Sequence, residues 1–196
     1  MGNSTHGQLD LFGDPAPAPP LPPTRGRRGV VGEADWRQWL DDPATRQRYR
    51  AKVHQRGTGR CAPWTGTLSS TGHGKFRVGS RTDGTRRMVS AHLYGYQLEY
   101  GVITADPSQD LVLAHTCDEP ACQQPRHLHL VTRQENLTQY RERRESGPLL
   151  DARGAFGRAV AVRTAILDAL ARGEDMEEAI AAARAAGLPS PGERLF

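Results

Sequence analysis

The sequence predicts an α+β fold, on three features of its patterning. Trp36, Trp39 and Leu40, and later Phe156, Ala159, Val160, Ile166, Leu167 and Leu170, recur every three to four positions, the period of a helix buried on one face. Between these segments lie short apolar and β-branched runs at 76–78, 88–90, 111–114 and 128–131. The 21 Gly and 14 Pro among 196 residues leave much of the chain to loops and tails.

Taken in order, residues 1–33 are expected to form a disordered tail. Six prolines between Asp14 and Thr24 favour extended polyproline conformation and bury nothing. RGRRG at 25–29 adds a small basic patch. Order is expected from about Ala34, with a first helix on Trp36, Trp39 and Leu40. A second helical piece is expected around 49–53, ended by Gly57 and Gly59. The runs at 76–78 and 88–90 read as strands of a hairpin turning at Asp83-Gly84. A short helix over 91–100, strands at 111–114 and 128–131, and a polar helix over 134–144 follow.

Gly147-Pro148 marks an expected boundary, which makes 34–146 the central domain and 147–196 a helical extension. The amphipathic helix from Phe156 should stop at Gly173. Asp175 with Glu178 three residues later resembles a capping box, opening a last helix to Ala186 that Gly187 and Pro189 end.

No run approaches the ~18 apolar residues of a membrane span. The start, MGNSTHGQ, lacks a basic n-region, and His6 stands where a myristoylation signal has Ser or Thr. A secreted, membrane or fibrous protein is therefore not expected; the expected location is the cytoplasm. Net charge is +4, and of the 26 cations only Lys52 and Lys75 are lysines. Guanidinium groups contact phosphates bidentately, so nucleic acid is a natural partner. An Arg-for-Lys bias of the genome would give the same composition.

The chemistry concentrates in residues 111–139. Cys117-x4-Cys122-x4-His127 offers three borderline or soft ligands within eleven residues, and Cys61 is the remaining cysteine of the chain. Together they make a Cys3His set, a closed tetrahedral zinc site with structural rather than catalytic character. The alternative is three unrelated buried cysteines. An odd cysteine count without a secretory signal argues against a disulfide scaffold. His115 lies at a strand end two residues before Cys117, and Asn136 lies on the following helix. A strand-end His is often only structural. With an Asn facing it, the pair suits phosphodiester hydrolysis. A neutral imidazole takes a proton from water, and an amide oxygen helps hold a hydrated Mg²⁺.

The spacing His115-x-Cys117-x4-Cys122-x4-His127-x8-Asn136, with Cys61 upstream, resembles the His-Me finger (ββα-metal) endonucleases. It is closest to the zinc-stapled His-Cys box and phage HNH types. Tyr49-Arg-Ala-Lys52-Val53, Cys61-Ala-Pro-Trp64-Thr-Gly66, Gly72-His-Gly74-Lys-Phe76 and Ala91-His92 resemble further segments of that pattern, in the same order. The likeness spans roughly 45–140 and implies a nuclease domain with a ββα-metal core over 34–146. It implies His115 as general base and Asn136 as the side-chain ligand of a catalytic Mg²⁺. It also implies Cys61, Cys117, Cys122 and His127 as zinc ligands, and DNA as partner. Some positions depart from the pattern. Ala114 precedes the His where many relatives carry a metal-binding Asp, Gln124 replaces an Asn, His73 replaces a Tyr, and Leu93 replaces an Arg. Arg77, Arg81, Arg86 and Arg87 of the hairpin are the expected substitutes as DNA contacts.

A second resemblance lies in the tail. Gln8-Leu9-Asp10-Leu11-Phe12 is similar to the peptide that bacterial polymerases and repair proteins insert into the sliding clamp. The sequence thus predicts a Mg²⁺-dependent DNA endonuclease recruited by a clamp in a bacterial or phage-infected cell, near the nucleoid. The competing reading is a non-catalytic, zinc-stabilised DNA-binding or clamp-directed regulatory protein.

Overall fold

The computed structural model describes residues 31–57, 59–104 and 107–189, and it is mixed α and β. Residues 8–12, the Pro-rich segment and the terminal 193–196 lie outside the described residues. The elements are α1 (Glu33–Asp41), α2 (Pro43–Arg50), β1 (Lys75–Val78), β2 (Arg87–Ser90), α3 (Ala91–Tyr100), β3 (Leu111–His115), β4 (Leu128–Thr132), α4 (Arg133–Arg143), α5 (Gly154–Arg172) and α6 (Met176–Ala185). Strands β1 and β2 form one two-stranded antiparallel sheet, and β3 and β4 form another. Phe76 pairs with Val89, and Ala114 with His129.

The second helix lies earlier than 49–53. Asp42 leaves the helical region (ψ 112°), ending α1, and its carboxylate accepts from the Ala44 and Thr45 N–H groups at 3.1 Å, with Pro43 in the first turn. This Asp-Pro start is a strong helix signal. By residue 53 the chain is already extended, bridging Val53 to Trp64. The hairpin β1–β2 is present, but its connection is the whole stretch 79–86 rather than a two-residue turn at Asp83-Gly84. Within it Asp83 Oδ1 accepts from the Thr85 N–H (2.9 Å) and hydroxyl (2.6 Å), and the Ser80 N–H donates to Thr85 Oγ1 (3.0 Å). These side-chain bonds shape a longer loop in place of the tight turn.

Helix α5 stops at Gly173 in the left-handed region (φ 68°), as its sequence predicts. Asp175 caps α6 through the Glu177 and Glu178 N–H groups, but Glu178 returns no bond among the described residues. The complete capping box belongs to α4, where Thr132 and Glu135 exchange both bonds.

Two apolar centres hold these elements. Tyr49, Trp64, Phe76 and Tyr94 interlock with ring centroids 4.9–5.8 Å apart. Trp64 and Tyr94 are fully buried. Two close approaches make this possible. A Cβ on Gly95 would stand 1.9 Å from the Tyr49 hydroxyl, and one on Gly74 would stand 2.8 Å from the Trp64 ring. The second centre packs α5 on α6 through Val162, Ile166 and Ile180. A buried ion network ties these helices to the loop after β3. Arg158 donates to Glu119 (2.8 and 3.2 Å), to Asp151 (3.1 Å) and to the Arg184 carbonyl (3.2 Å). Glu177 in α6 receives Arg56 and Arg60 from the segment before Cys61.

Gly95 gives a prediction of sign. In an open helix, Gly→Ala stabilises by about 1 kcal/mol. Here Gly95→Ala should destabilise, by about 1–3 kcal/mol, because it drives Tyr49 off Gln123 and disturbs the aromatic cluster. Urea unfolding of the variant against the parent checks this; a raised midpoint would show that the Tyr49 contact is not tight.

Candidate metal centre and histidine cluster

The segment carrying Cys61 reaches the β3–β4 loop by backbone pairing. Pro63 bridges Cys122, the Trp64 N–H donates to the Ala121 carbonyl (2.9 Å), and the Gln123 N–H donates to the Ala62 carbonyl (2.8 Å). Across the loop the Thr116 N–H donates to the His127 carbonyl (2.9 Å). Asp118 takes a left-handed turn (φ 53°), and Arg143 at the end of α4 grips its carboxylate with two bonds of 2.9 and 3.0 Å.

Cys61, Cys117, Cys122 and His127 converge, with their ligand atoms within 4.8 Å of one another. His127 Nδ1 is 3.7 Å from Cys61 Sγ and 3.6 Å from Cys122 Sγ. A tetrahedron with Zn–S near 2.3 Å and Zn–N near 2.05 Å has S···N edges of about 3.5 Å, so the spacing fits zinc. All three cysteines are free thiols. The Gln124 N–H points at Cys122 Sγ (3.4 Å), a contact that favours thiolate. Hydrogen bonds from Cys117 and Cys122 push the Cys61 thiol down, whereas Cys117 is pushed up, first by its bond with Cys122. Three sulfurs this close do not ionise together without a cation among them. The Arg184 guanidinium also favours the Cys61 thiolate.

His115 ends β3 beside this loop. Its Nε2 lies 3.0 Å from the Cys122 carbonyl, which can only accept. The proton therefore sits on Nε2, and Nδ1 keeps its lone pair. Burial pushes His115 down to about 4, partly offset by that carbonyl bond.

Two further histidines surround it. Their ring centroids lie 4.9 Å (His92) and 5.6 Å (His73) from His115, and 5.3 Å from each other. His92 is buried, its Nδ1 has no hydrogen-bond partner among the described residues, and burial followed by the His115 charge pushes it to about 2. His73 Nδ1 lies 2.9 Å from the Thr71 hydroxyl, and burial lowers its pKa as well. All three are neutral near pH 7.

No local pattern in the sequence places His73 and His92 at the site. They come from separate elements, brought together when the Ala91 N–H donates to the Gly74 carbonyl (2.9 Å). The isolated pairs Gly72-His73-Gly74 and Ala91-His92 carry only a faint signal of that.

Asn136 is half-buried in the first turn of α4, which begins where β4 ends. Its side chain makes no hydrogen bond among the described residues, to His115 or otherwise. Arg77 lies on β1, Arg81 and Arg86 in the loop after it, and Arg87 opens β2, where it donates to the Gly84 and Arg86 carbonyls. Gln8, Leu9, Asp10, Leu11 and Phe12 lie outside the described residues.

Two measurements follow. Protein prepared without chelators should carry one zinc per chain, and Cys117→Ser should lose it and melt at lower temperature, read by metal analysis and circular dichroism. The second concerns acid. Folding depresses the pKa of His92, so the unfolded chain binds more protons between the unperturbed value of about 6.5 and the folded value. The stability is complete above pH 6.5 and falls as pH drops below it. Replacing His92 with Phe should flatten this slope between pH 6.5 and 5, measured by thermal melts of zinc-loaded protein; an unchanged slope would remove His92 from the account.

No protein-family model matches the chain, and no solved structure matches it. Among curated proteins the chain is similar to Protein 7.7 of Escherichia phage T7, with 28% identity over 116 residues. The matched stretch is 58% of this chain and 82% of the phage protein, whose name states no activity.

Proposed function

We propose that this chain is a metal-dependent DNA endonuclease of the ββα-metal type, with a structural zinc in the Cys3His set. The observation that carries the reading is the state of His115. Its Nε2–H is fixed on the Cys122 carbonyl, its Nδ1 has no hydrogen-bond partner among the described residues, and its low pKa keeps it neutral at working pH. That is the condition a general base requires.

The order of elements supports the same reading, since the hairpin β3–β4 leads directly into α4 with Asn136 in its first turn. Asn136 offers a hard amide oxygen without a competing partner among the described residues, and Ala114 adds no carboxylate. This donor set suits Mg²⁺, which keeps most of its water. When bound, Mg²⁺ would supply charge stabilisation at the scissile phosphate and the departing 3′ oxygen. His115 Nδ1 would take a proton from the attacking water, and the carbonyl bond would hold the ring as charge builds on it. Residues 8–12 would recruit the enzyme to a bacterial sliding clamp. No helix among the described residues is long and apolar enough to cross a membrane. A phage relative suits action in a phage-infected cell.

Plasmid digestion with and without Mg²⁺ tests this. His115→Ala should keep its zinc and fold but lose cleavage by about 10²–10⁴-fold, the usual contribution of a positioned base. Parental cleavage should stay flat from pH 6 to 8, because His115 is already deprotonated there. Undiminished cleavage by the variant removes His115 as base. A zinc-loaded parent that binds DNA without cutting it selects the non-catalytic reading.

A further inference from the structure

A groove of about 710 Å³ runs between α1–α2 and the β1–β2 hairpin. Six cations line it: Arg48 and Lys52 on the helical side, Lys75, Arg77, Arg81 and Arg86 on the hairpin side. None of the six forms an ion pair among the described residues. Arg37, Arg56, Arg133, Arg143, Arg153 and Arg172 each hold a carboxylate. Outside the groove the exposed Arg50, Arg87, Arg126 and Arg141 also form no ion pair among the described residues, so what sets the groove apart is the gathering of six such cations around one concavity.

The groove has two carboxylates of its own, and both are turned to local work. Asp42 caps α2, and Asp83 shapes the hairpin loop. Arg48 feels Asp42 electrostatically but donates its hydrogen bond to the Thr45 hydroxyl. Six like charges held around one concavity repel each other, and an anion entering it relieves that.

The lining also says what kind of anion. Trp39 and Phe76 are each only 3% exposed, so neither offers an aromatic face for a base to stack on. Besides the cations, the walls present hydroxyls of Thr67 and Ser80, whereas that of Thr85 is already spent on Asp83. Such groups contact phosphate and sugar, which position a nucleic acid without reading it. The hairpin wall leads into the histidine cluster, since Lys75 pairs with Ser90 while His73 and His92 lie two residues from each.

We propose that this groove is the track for the phosphate backbone of the DNA, delivering it to His115 without base recognition. Arg48 of α2 and Lys52 just beyond its end act with the hairpin cations as its two walls. The identity of the ligand as DNA rests on the nuclease reading; the groove as a polyphosphate-chain site does not.

The test uses full-length, zinc-loaded His115→Ala protein without Mg²⁺ and two 20-bp duplexes of unrelated sequence, followed by fluorescence anisotropy. Six phosphate contacts predict an affinity loss of about 10³-fold between 50 and 200 mM salt. Adding Arg48→Gln and Lys52→Gln, both exposed, should cut that loss to about 10²-fold and weaken both duplexes alike. Arg172→Gln, at the end of α5 and not part of the groove lining, should change neither. An unaltered salt slope in the double variant overturns the groove while leaving cleavage by the parent, and so the nuclease reading, intact. A reduced slope in a protein whose parent never cuts supports the groove and removes the nuclease. A preference for one duplex that disappears with Arg48 and Lys52 overturns the absence of base recognition.

Discussion

Cys122 is the point through which the metal loop and the histidine cluster constrain each other. Its sulfur faces His127 at 3.6 Å, its carbonyl fixes the His115 ring, and its backbone bridges Pro63, which brings Cys61 into range. A zinc ion held there would set the position of that carbonyl, and the carbonyl sets the tautomer of His115. The staple and the candidate base are therefore mechanically one unit, although one sits in a closed ligand set and the other keeps a free nitrogen.

That unit needs a firm backing, and the aromatic cluster provides it. The Tyr49 hydroxyl donates to Gln123 (3.1 Å), the residue next to Cys122, while the Tyr49 ring packs on Trp64, Phe76 and Tyr94. Burial pushes the Tyr49 hydroxyl well above its ordinary pKa, so it remains a donor. Gly74 and Gly95 are small because large rings occupy the space above them. Their neighbours His73 and Tyr94 owe their placement to those same approaches.

Much of the fold was legible because its signals are local. The helix over 91–100, the strands and the Gly173 stop follow from periodicity and from residues with special backbone preferences. The Cys3His set was legible because ligand chemistry restricts residue type and spacing together. Helix α2 starts earlier than the aromatic at 49 suggests, because the Asp42-Pro43 cap opens it. The loop 79–86 departs from a tight turn because Asp83-Gly84 matches one only in composition, while the Thr85 bonds favour a longer path. The gathering of His73 and His92 around His115 depends on pairings between distant segments, which no local pattern encodes. The same holds for the groove, whose helical wall joins the hairpin only in three dimensions.

The buried Arg158–Glu119–Arg184 contacts impose an order in time as the chain emerges from the ribosome. All four members of the Cys3His set are available once His127 has been made, yet Glu119 between them in the chain is an almost buried carboxylate. Its counter-charges are synthesised later, on α5 and α6. A nascent chain ending before Arg158 would have to hold that carboxylate in water or protonate it, since an unpaired buried charge is strongly unfavourable. The metal loop can thus gather its ligands early but reaches its final, dry surroundings only after the last helices have emerged.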